Sequence, residues 1–228
     1  MPAPTAIELL WGTQQRGRRG PKPALSLERI VAEAIALADA EGLANLSMQR
    51  LAERLGFTKM SLYRYVPGRA ELTALMLDTG LGTPPAGSAK DWRTGLKVWS
   101  ETIFERYSAH PWAIELTTGQ RPIGPNELGW IEAALVSLTN TGLTGSERLD
   151  TIVLVNGHVR SLAQQLVTTE STAVYTAQLA ETLAAAGDDY PATQTAFAEE
   201  RQGGSDNALH FGIDRILDGL NVLITQRT

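Results

Sequence analysis

The sequence predicts an all-α protein in two parts: an N-terminal three-helix helix-turn-helix unit and a larger α-helical domain for regulation and dimerisation. Three observations carry this expectation. Apolar residues return at i, i+3, i+4 and i+7 in segment after segment between Leu27 and Ile224, the spacing of one helical face. The gaps between segments hold proline and glycine, as at Pro84, Pro85 and Gly87, residues that punctuate helices. Residues 46–72, LSMQRLAERLGFTKMSLYRYVPGRAEL, set two short helical segments around a single glycine.

Residues 1–24 contain four prolines and little periodicity, so this arm is expected to be mostly disordered. Arg16, Arg18, Arg19 and Lys22 cluster in it with no acid among them. Such a segment suits phosphates or serves only as a solubilising tail. Residues 25–83 form the predicted helix-turn-helix domain. Ser26 caps a first helix in which Leu27, Ile30, Val31, Ala34, Leu37 and Ala38 share a face, and Gly42 ends it. Ser47 caps a second, with Met48, Leu51, Ala52 and Leu55 facing inward and Gly56 as its stop. Thr58 caps a third, over residues 59–65, which Pro67 ends because the residue before a proline disfavours the helical region. A fourth runs over residues 69–81.

Three residues set the geometry of the turn. Ala52 is small enough for the third helix to cross close over the second. Gly56 permits the left-handed backbone of a sharp turn. Leu62, with Val66 one turn later, points into the three-helix core. The outward face is then Lys59, Met60, Ser61, Tyr63 and Arg64, with Tyr65 beside it. A buried helix would not carry that set, and a merely solvated one would favour Glu and Lys at i, i+4. DNA recognition is the chemistry it fits.

The segment LAERLGFTKMSLYRYVPGRAEL resembles the DNA-binding region of the TetR family of bacterial transcriptional repressors. Met60 stands where the family often has a small residue, and Val66 where it commonly has Phe. Residues 122–165, PIGPNELGWIEAALVSLTNTGLTGSERLDTIVLVNGHVRSLAQQ, look like the C-terminal regulatory domain of the tetracycline-repressor branch. The two resemblances cover about residues 25–225. They imply a two-fold dimer, a DNA operator and a small-molecule effector.

Charge is divided unevenly. Net charge is −5, yet residues 1–72 hold ten Lys or Arg against seven Asp or Glu, and residues 73–228 hold ten against eighteen. A basic N-terminal part therefore sits on an acidic body. There is no cysteine, which removes disulfides, thiolate metal sites and thiol chemistry. No apolar run reaches the roughly 18 residues of a membrane helix, and the first residues do not have the layout of a secretory signal. A cytoplasmic protein with no membrane partner is expected. With three histidines and no HExxH, P-loop or dinucleotide fingerprint, no enzyme, cofactor or metal is expected.

The regulatory domain is expected over residues 88–228. Helices are predicted at residues 89–109, briefly after Pro111, and at 125–141, where Pro125 is well placed as first residue. Others follow at 146–168, 171–186 and 206–225. Residues 187–207 read as loop with one helical turn near 193–200. Around Ile152 and Val155 the helix over 146–168 is apolar on all sides, so both its faces are covered. A four-helix dimer interface is expected from Ile152, Val155, Val159 and Leu162 together with Ile213, Ile216, Leu220 and Leu223. Gly157, Gly212 and Gly219 cost about 1 kcal/mol each inside helices, reasonable where another backbone comes close. The other reading makes these residues monomer core.

A dimer would set two recognition helices into successive major grooves of a near-palindromic site, roughly 34 Å apart. Lys59 and Arg64 would meet phosphates or guanine edges, Tyr63 and Tyr65 would bond phosphates, and Met60 would bear on which bases are read. Ser47, Thr58 and Arg69 would hold phosphates, and Arg16, Arg18 and Arg19 would enter a minor groove. For the effector, an apolar or aromatic pocket is expected among Trp99, Ile103, His110, Trp112, Trp130, Asn156 and His158. Magnesium accompanies the ligand in the tetracycline repressor itself, but His110 has no partners here at a recognisable metal-ligand spacing. A ligand-independent architectural DNA-binding protein, an activator and, last, a small-molecule-binding enzyme are the alternatives.

Overall fold

The computed structural model describes residues 3–12, 24–87, 91–168, 172–187, 189–203 and 207–227. Among them are twelve α-helices, one 3-10 turn and no strand. The N-terminal domain is built from α2 (Leu27–Glu41), the 3-10 turn Leu43–Asn45, α3 (Met48–Leu55), α4 (Lys59–Tyr63) and α5 (Arg69–Leu81). The starts of α2, α3 and α4 have the caps their sequence calls for. Ser26 accepts from the Arg29 N–H, Ser47 from Arg50 and Thr58 from Ser61. Gly42 and Gly56 take positive φ, at 81° and 77°, where a side chain would be strained. Ile30, Ala34, Leu37, Leu51, Ala52, Leu62 and Val66 close the core between these helices with essentially no exposed surface.

The chain start departs from expectation. Residues 6–10 form a helix, α1 (Ala6–Leu10). Thr5 and Glu8 make a reciprocal capping box, with the Thr5 N–H donating to Glu8 at 2.8 Å. That T-x-x-E spacing was the available signal. Leu9 and Leu10 are buried, α1 packs along α5, and the Trp11 indole donates to the Ile123 carbonyl at 3.1 Å. The beginning of the chain is thus a strap across the two domains. Arg16, Arg18, Arg19 and Lys22 lie outside the described residues.

The larger domain contains α6 (Trp92–Ala109), α7 (Trp112–Leu116), α8 (Pro125–Ser137), α9 (Gly145–Thr168), α10 (Thr172–Ala185), α11 (Pro191–Gly203) and α12 (Ala208–Thr225). α6 begins at residue 92 because Asp91 accepts from both Arg93 and Thr94. α8 stops at residue 137, ahead of the positive-φ pair Asn140 and Gly142. A second correction concerns residues 187–207: α11 is a full helix of 13 residues. Pro191 at its first position was the overlooked start signal. α9 runs between α6, α8 and α12, which is why it is apolar on several sides. Ion pairs lace α12 to α6, with Arg93 to Asp218 and Lys97 to Asp214 both at 2.6 Å. No helix among the described residues is long and apolar enough to cross a membrane.

Candidate nucleic-acid interface and effector domain

The short helix α4 is held from behind and open in front. Leu62 and Val66 are fully buried, and the Thr58 hydroxyl lies 2.9 Å from that of Ser61. Lys59 and Arg64 are exposed, and Met60 is 73% exposed. Tyr63 and Tyr65 are half-buried against the rim of the core. The Lys59 ammonium sits 5.6 Å from the Tyr63 ring centroid, a cation–π distance that keeps charge and ring on one surface. Among the described residues neither Lys59 nor Arg64 has a carboxylate partner. Arg50 and Arg54 of α3, by contrast, are paired with Glu41 and Glu33. Arg29 and Arg69 also lack a carboxylate but donate to backbone carbonyls, which leaves Lys59 and Arg64, on and just after α4, as the cations of this unit with neither kind of partner among the described residues.

The remaining expected contacts divide. Ser47 and Thr58 are exposed at helix starts with their oxygens on backbone N–H groups. Arg69 has a structural task instead. Its guanidinium donates to the Leu46 carbonyl at 2.8 Å and the Leu43 carbonyl at 3.0 Å. It braces the entry to α3 against α5 and is not poised as a free phosphate ligand.

α5 connects the domains, and α8 is fixed to it at three points. Gly124 caps α8 without a side chain. Asp78 of α5 replaces the missing cap, accepting the Glu127 N–H at 3.0 Å. Asn126 donates to the Asp78 carbonyl at 3.0 Å and the Trp130 indole to the Gly82 carbonyl at 2.9 Å. A Cβ on Gly124 would lie 2.2 Å from Asp78 Oδ1, so only glycine lets the carboxylate in. Burial pushes the Asp78 carboxyl above its ordinary range, against the lowering by the Glu127 N–H. A raised folded pKa means that the folded state binds the proton more readily. This group's contribution to stability therefore falls as pH rises from the ordinary carboxylate range through the folded pKa. Asp78→Asn keeps an acceptor and removes that pH dependence; Asp78→Ala loses the cap and costs about 1 kcal/mol. Thermal denaturation of both variants from pH 4 to 8 checks this.

The residues expected to line one pocket fall in three places. Trp99, Ile103 and Trp130 are buried. The Trp99 indole donates to the Trp130 carbonyl at 2.8 Å, and the two rings meet edge-on at 5.8 Å. Asn156, half-buried on α9, adjoins this region through the packing of α9 along α6. His110 and Trp112 belong to the domain seam. His110 Nδ1 lies 2.8 Å and Trp112 Nε1 2.6 Å from the same oxygen of Asp39, on α2. Gly80 of α5 lies beneath them, where a Cβ would be 3.0 Å from the Trp112 ring. His158 ties α9 to α12: its Nε2 lies 3.2 Å from the Ala208 carbonyl, and a Cβ on Gly212 would strike its ring. Sequence reasoning missed Asp39 and Asp78, because an acid on an amphipathic helix reads as a solvated face until its partner is known.

The residues of the expected dimer set are covered to different degrees within one chain. Ile152, Val155, Val159 and Ile213 are buried within one chain, and Leu162, Ile216, Leu220 and Leu223 are partly covered by it. The outward stripe is one residue over. It carries Leu149 and Val153 on α9, 50% and 71% exposed, and Phe211 and Val222 on α12, 65% and 58% exposed. Gly157 and Gly219 lie on the exposed side with nothing near their Cβ positions.

Comparison with known proteins agrees with this architecture. Residues 30–75 match the profile described as bacterial regulatory proteins, tetR family, and residues 84–224 match the tetracyclin repressor-like C-terminal domain. The HTH-type transcriptional repressor DrrR1 of Streptomyces coeruleorubidus is 37% identical, over 97% of this chain and 86% of its own. An HTH-type transcriptional regulator of Saccharopolyspora erythraea is 30% identical, over 83% and 81%. Among solved structures, the TetR family protein ActR of Streptomyces coelicolor in complex with (S)-DNPA superposes with a TM-score of 0.72 at 26% identity, over 90% of this chain and 99% of its own. ActR has also been solved with actinorhodin, with a TM-score of 0.71 at 27% identity, over 86% and 95%. With both family models matched and a repressor 37% identical over 97% of this sequence, the chain belongs to the TetR family of bacterial transcriptional regulators.

Proposed function

We propose that this protein is a ligand-responsive repressor acting in the bacterial cytoplasm. It binds a near-palindromic DNA operator as a homodimer and is released by a small apolar or aromatic molecule. The observation that carries this reading is the α4 surface, with Lys59 and Arg64 unneutralised, Met60 exposed and Tyr63 beside them. Lys59 and Arg64 serve phosphates or guanine edges, and Tyr63 and Tyr65 phosphates. Ser47 and Thr58 add bonds at helix starts, and Arg16, Arg18 and Arg19 reach a minor groove. Phosphate contacts set position and base contacts set sequence.

One α4 is too small a reader, so pairing is part of the function. The stripe of Leu149, Val153, Phe211 and Val222 is an apolar surface of the kind that soluble monomers cover, and a two-fold axis would cover it with its own copy. Val153→Asp is expected to yield a folded monomer, whereas Ile213→Asp, placed in the core, is expected to unfold the chain. Sedimentation equilibrium with circular dichroism separates the two outcomes.

Release follows from a population shift. The effector must bind more tightly to an arrangement in which the two α4 helices no longer match the groove spacing. The ActR complexes with (S)-DNPA and actinorhodin support a small-molecule effector in this family. Selection of duplexes from random DNA tests the reading. Enrichment of an inverted repeat with half-sites about one helical turn apart is the expected result, and no enriched sequence would count against it. Adding actinorhodin to the selected complex asks whether this effector class releases it.

A further inference from the structure

The helix-turn-helix domain covers its apolar side chains with one exception. Between residues 24 and 81 every large apolar side chain is buried or half-buried except Met60, which is 73% exposed. A lone exposed apolar residue means little by itself; here its surroundings decide. Met60 is the second residue of α4, and Arg64, also exposed, follows one turn later, so the two share a face. Lys59 precedes it, and both cations lack a carboxylate or carbonyl partner among the described residues.

The other polar groups of this turn are engaged locally. The Thr58 hydroxyl accepts the Ser61 N–H at 3.3 Å and lies 2.9 Å from the Ser61 hydroxyl. The Lys59 ammonium is drawn to 5.6 Å from the Tyr63 ring centroid. In the first turn of α4 the side chain that projects into open space is therefore Met60, between two cations suited to phosphates.

Chemistry limits what such a side chain can read. Methionine donates no hydrogen bond, and its sulfur is a weak acceptor. Base edges in the major groove carry ring and carbonyl acceptors, amino donors and a single apolar group, the C5-methyl of thymine. Against a polar edge Met60 would displace water and leave a donor or acceptor unpaired. Against the methyl it buries apolar surface on both sides, and its unbranched chain adapts to the contact. We infer that Met60 reads the 5-methyl group of one thymine in each operator half-site. This rests on the repressor reading above and names the base feature that α4 selects. A cytosine methylated at C5 offers the same group at the same place, so methylation of cytosine at that position strengthens binding.

The test uses the full chain and the operator selected from random DNA. Each thymine of a half-site, with its symmetry mate, is replaced in turn by deoxyuridine, which pairs identically and lacks only the methyl. Fluorescence anisotropy then compares wild type with Met60→Ser, whose helix content is checked by circular dichroism. At one thymine per half-site the wild type is expected to lose about 4-fold for each methyl, about 15-fold for the pair. Met60→Ser is expected to bind the thymine and uracil duplexes within about 2-fold of each other. With cytosine at that position, C5 methylation is expected to tighten wild-type binding by a similar factor and to leave the variant unchanged. A wild type indifferent to every uracil replacement, or a methyl effect of equal size in Met60→Ser, overturns the inference. Preference of the wild type for the unmodified operator over a scrambled duplex reports on the repressor reading separately; an operator bound specifically with no methyl effect overturns the inference alone, and failure to enrich any operator overturns both.

Discussion

Replacing Tyr63 and Arg64 together by alanine is expected to lower affinity for the selected operator by about 100-fold or more, with fold and oligomeric state unchanged. A base or phosphate contact of this type contributes about 1–3 kcal/mol, and a dimer loses it twice. Arg64 is exposed and Tyr63 is half-buried at the rim of the core that Leu62 and Val66 fill, so the loss is chiefly one of recognition. Fluorescence anisotropy on a labelled duplex measures it, and circular dichroism shows that the helix content is retained. Lys59→Ala is expected to behave differently, weakening all sequences alike and reducing the salt dependence by about one ion per protomer. A double variant that binds within about 3-fold of wild type would remove α4 from the interface.

The second large effect is expected at the seam between the domains. Asp39→Ala takes the acceptor from both Trp112 Nε1 and His110 Nδ1, which now share one oxygen. Trp112 is 3% exposed, so its N–H cannot turn to water. A stranded buried donor costs about 1–3 kcal/mol, equivalent to a fall in Tm of roughly 5 °C for a chain of this size. Asp39→Asn retains a carbonyl oxygen and is expected to recover most of that loss. Because Asp39 lies on α2 and Trp112 on α7, with Gly80 of α5 packed under the ring, Asp39→Ala is also expected to blunt effector-driven release while α4 is untouched. Differential scanning calorimetry and DNA release by effector, measured side by side, check the two effects. An unchanged Tm would show that the bridge carries no stability.

The helix-turn-helix was legible because its determinants are local. Ser47, Gly56, Thr58 and Pro67 each act within a turn of their own position, and the apolar spacing of Leu51, Ala52 and Leu55 names the inner face without reference to any partner. The α12 boundaries and the start of α8 at Pro125 were legible for the same reason. What could not be read depended on distant partners. His110 and Trp112 look like pocket residues in sequence because an aromatic beside a histidine carries no sign of Asp39, more than seventy positions earlier. His158 likewise gives no hint that it fills the space left by Gly212.

The outward face of α9 was hard to read for a related reason. Where a helix is apolar on every side, as α9 is around Ile152–Val155, periodicity cannot say which face the chain covers itself. The choice between Ile152 and Val153 is a rotation of about 100°. Only the packing of α6, α8 and α12 around α9 decides it. The exposed glycines were the better signal: Gly157 and Gly219 mark the open faces, while Gly212 marks an internal contact.

Protection of the selected operator by wild type and by Val153→Asp, compared at equal protomer concentration, tests the central claim, that recognition by α4 requires two copies paired through α9 and α12. The account predicts two protected half-sites about one helical turn apart for the wild type, appearing together, and none for the variant. Half-sites protected one at a time, or equal protection by a variant shown to be monomeric, would contradict it.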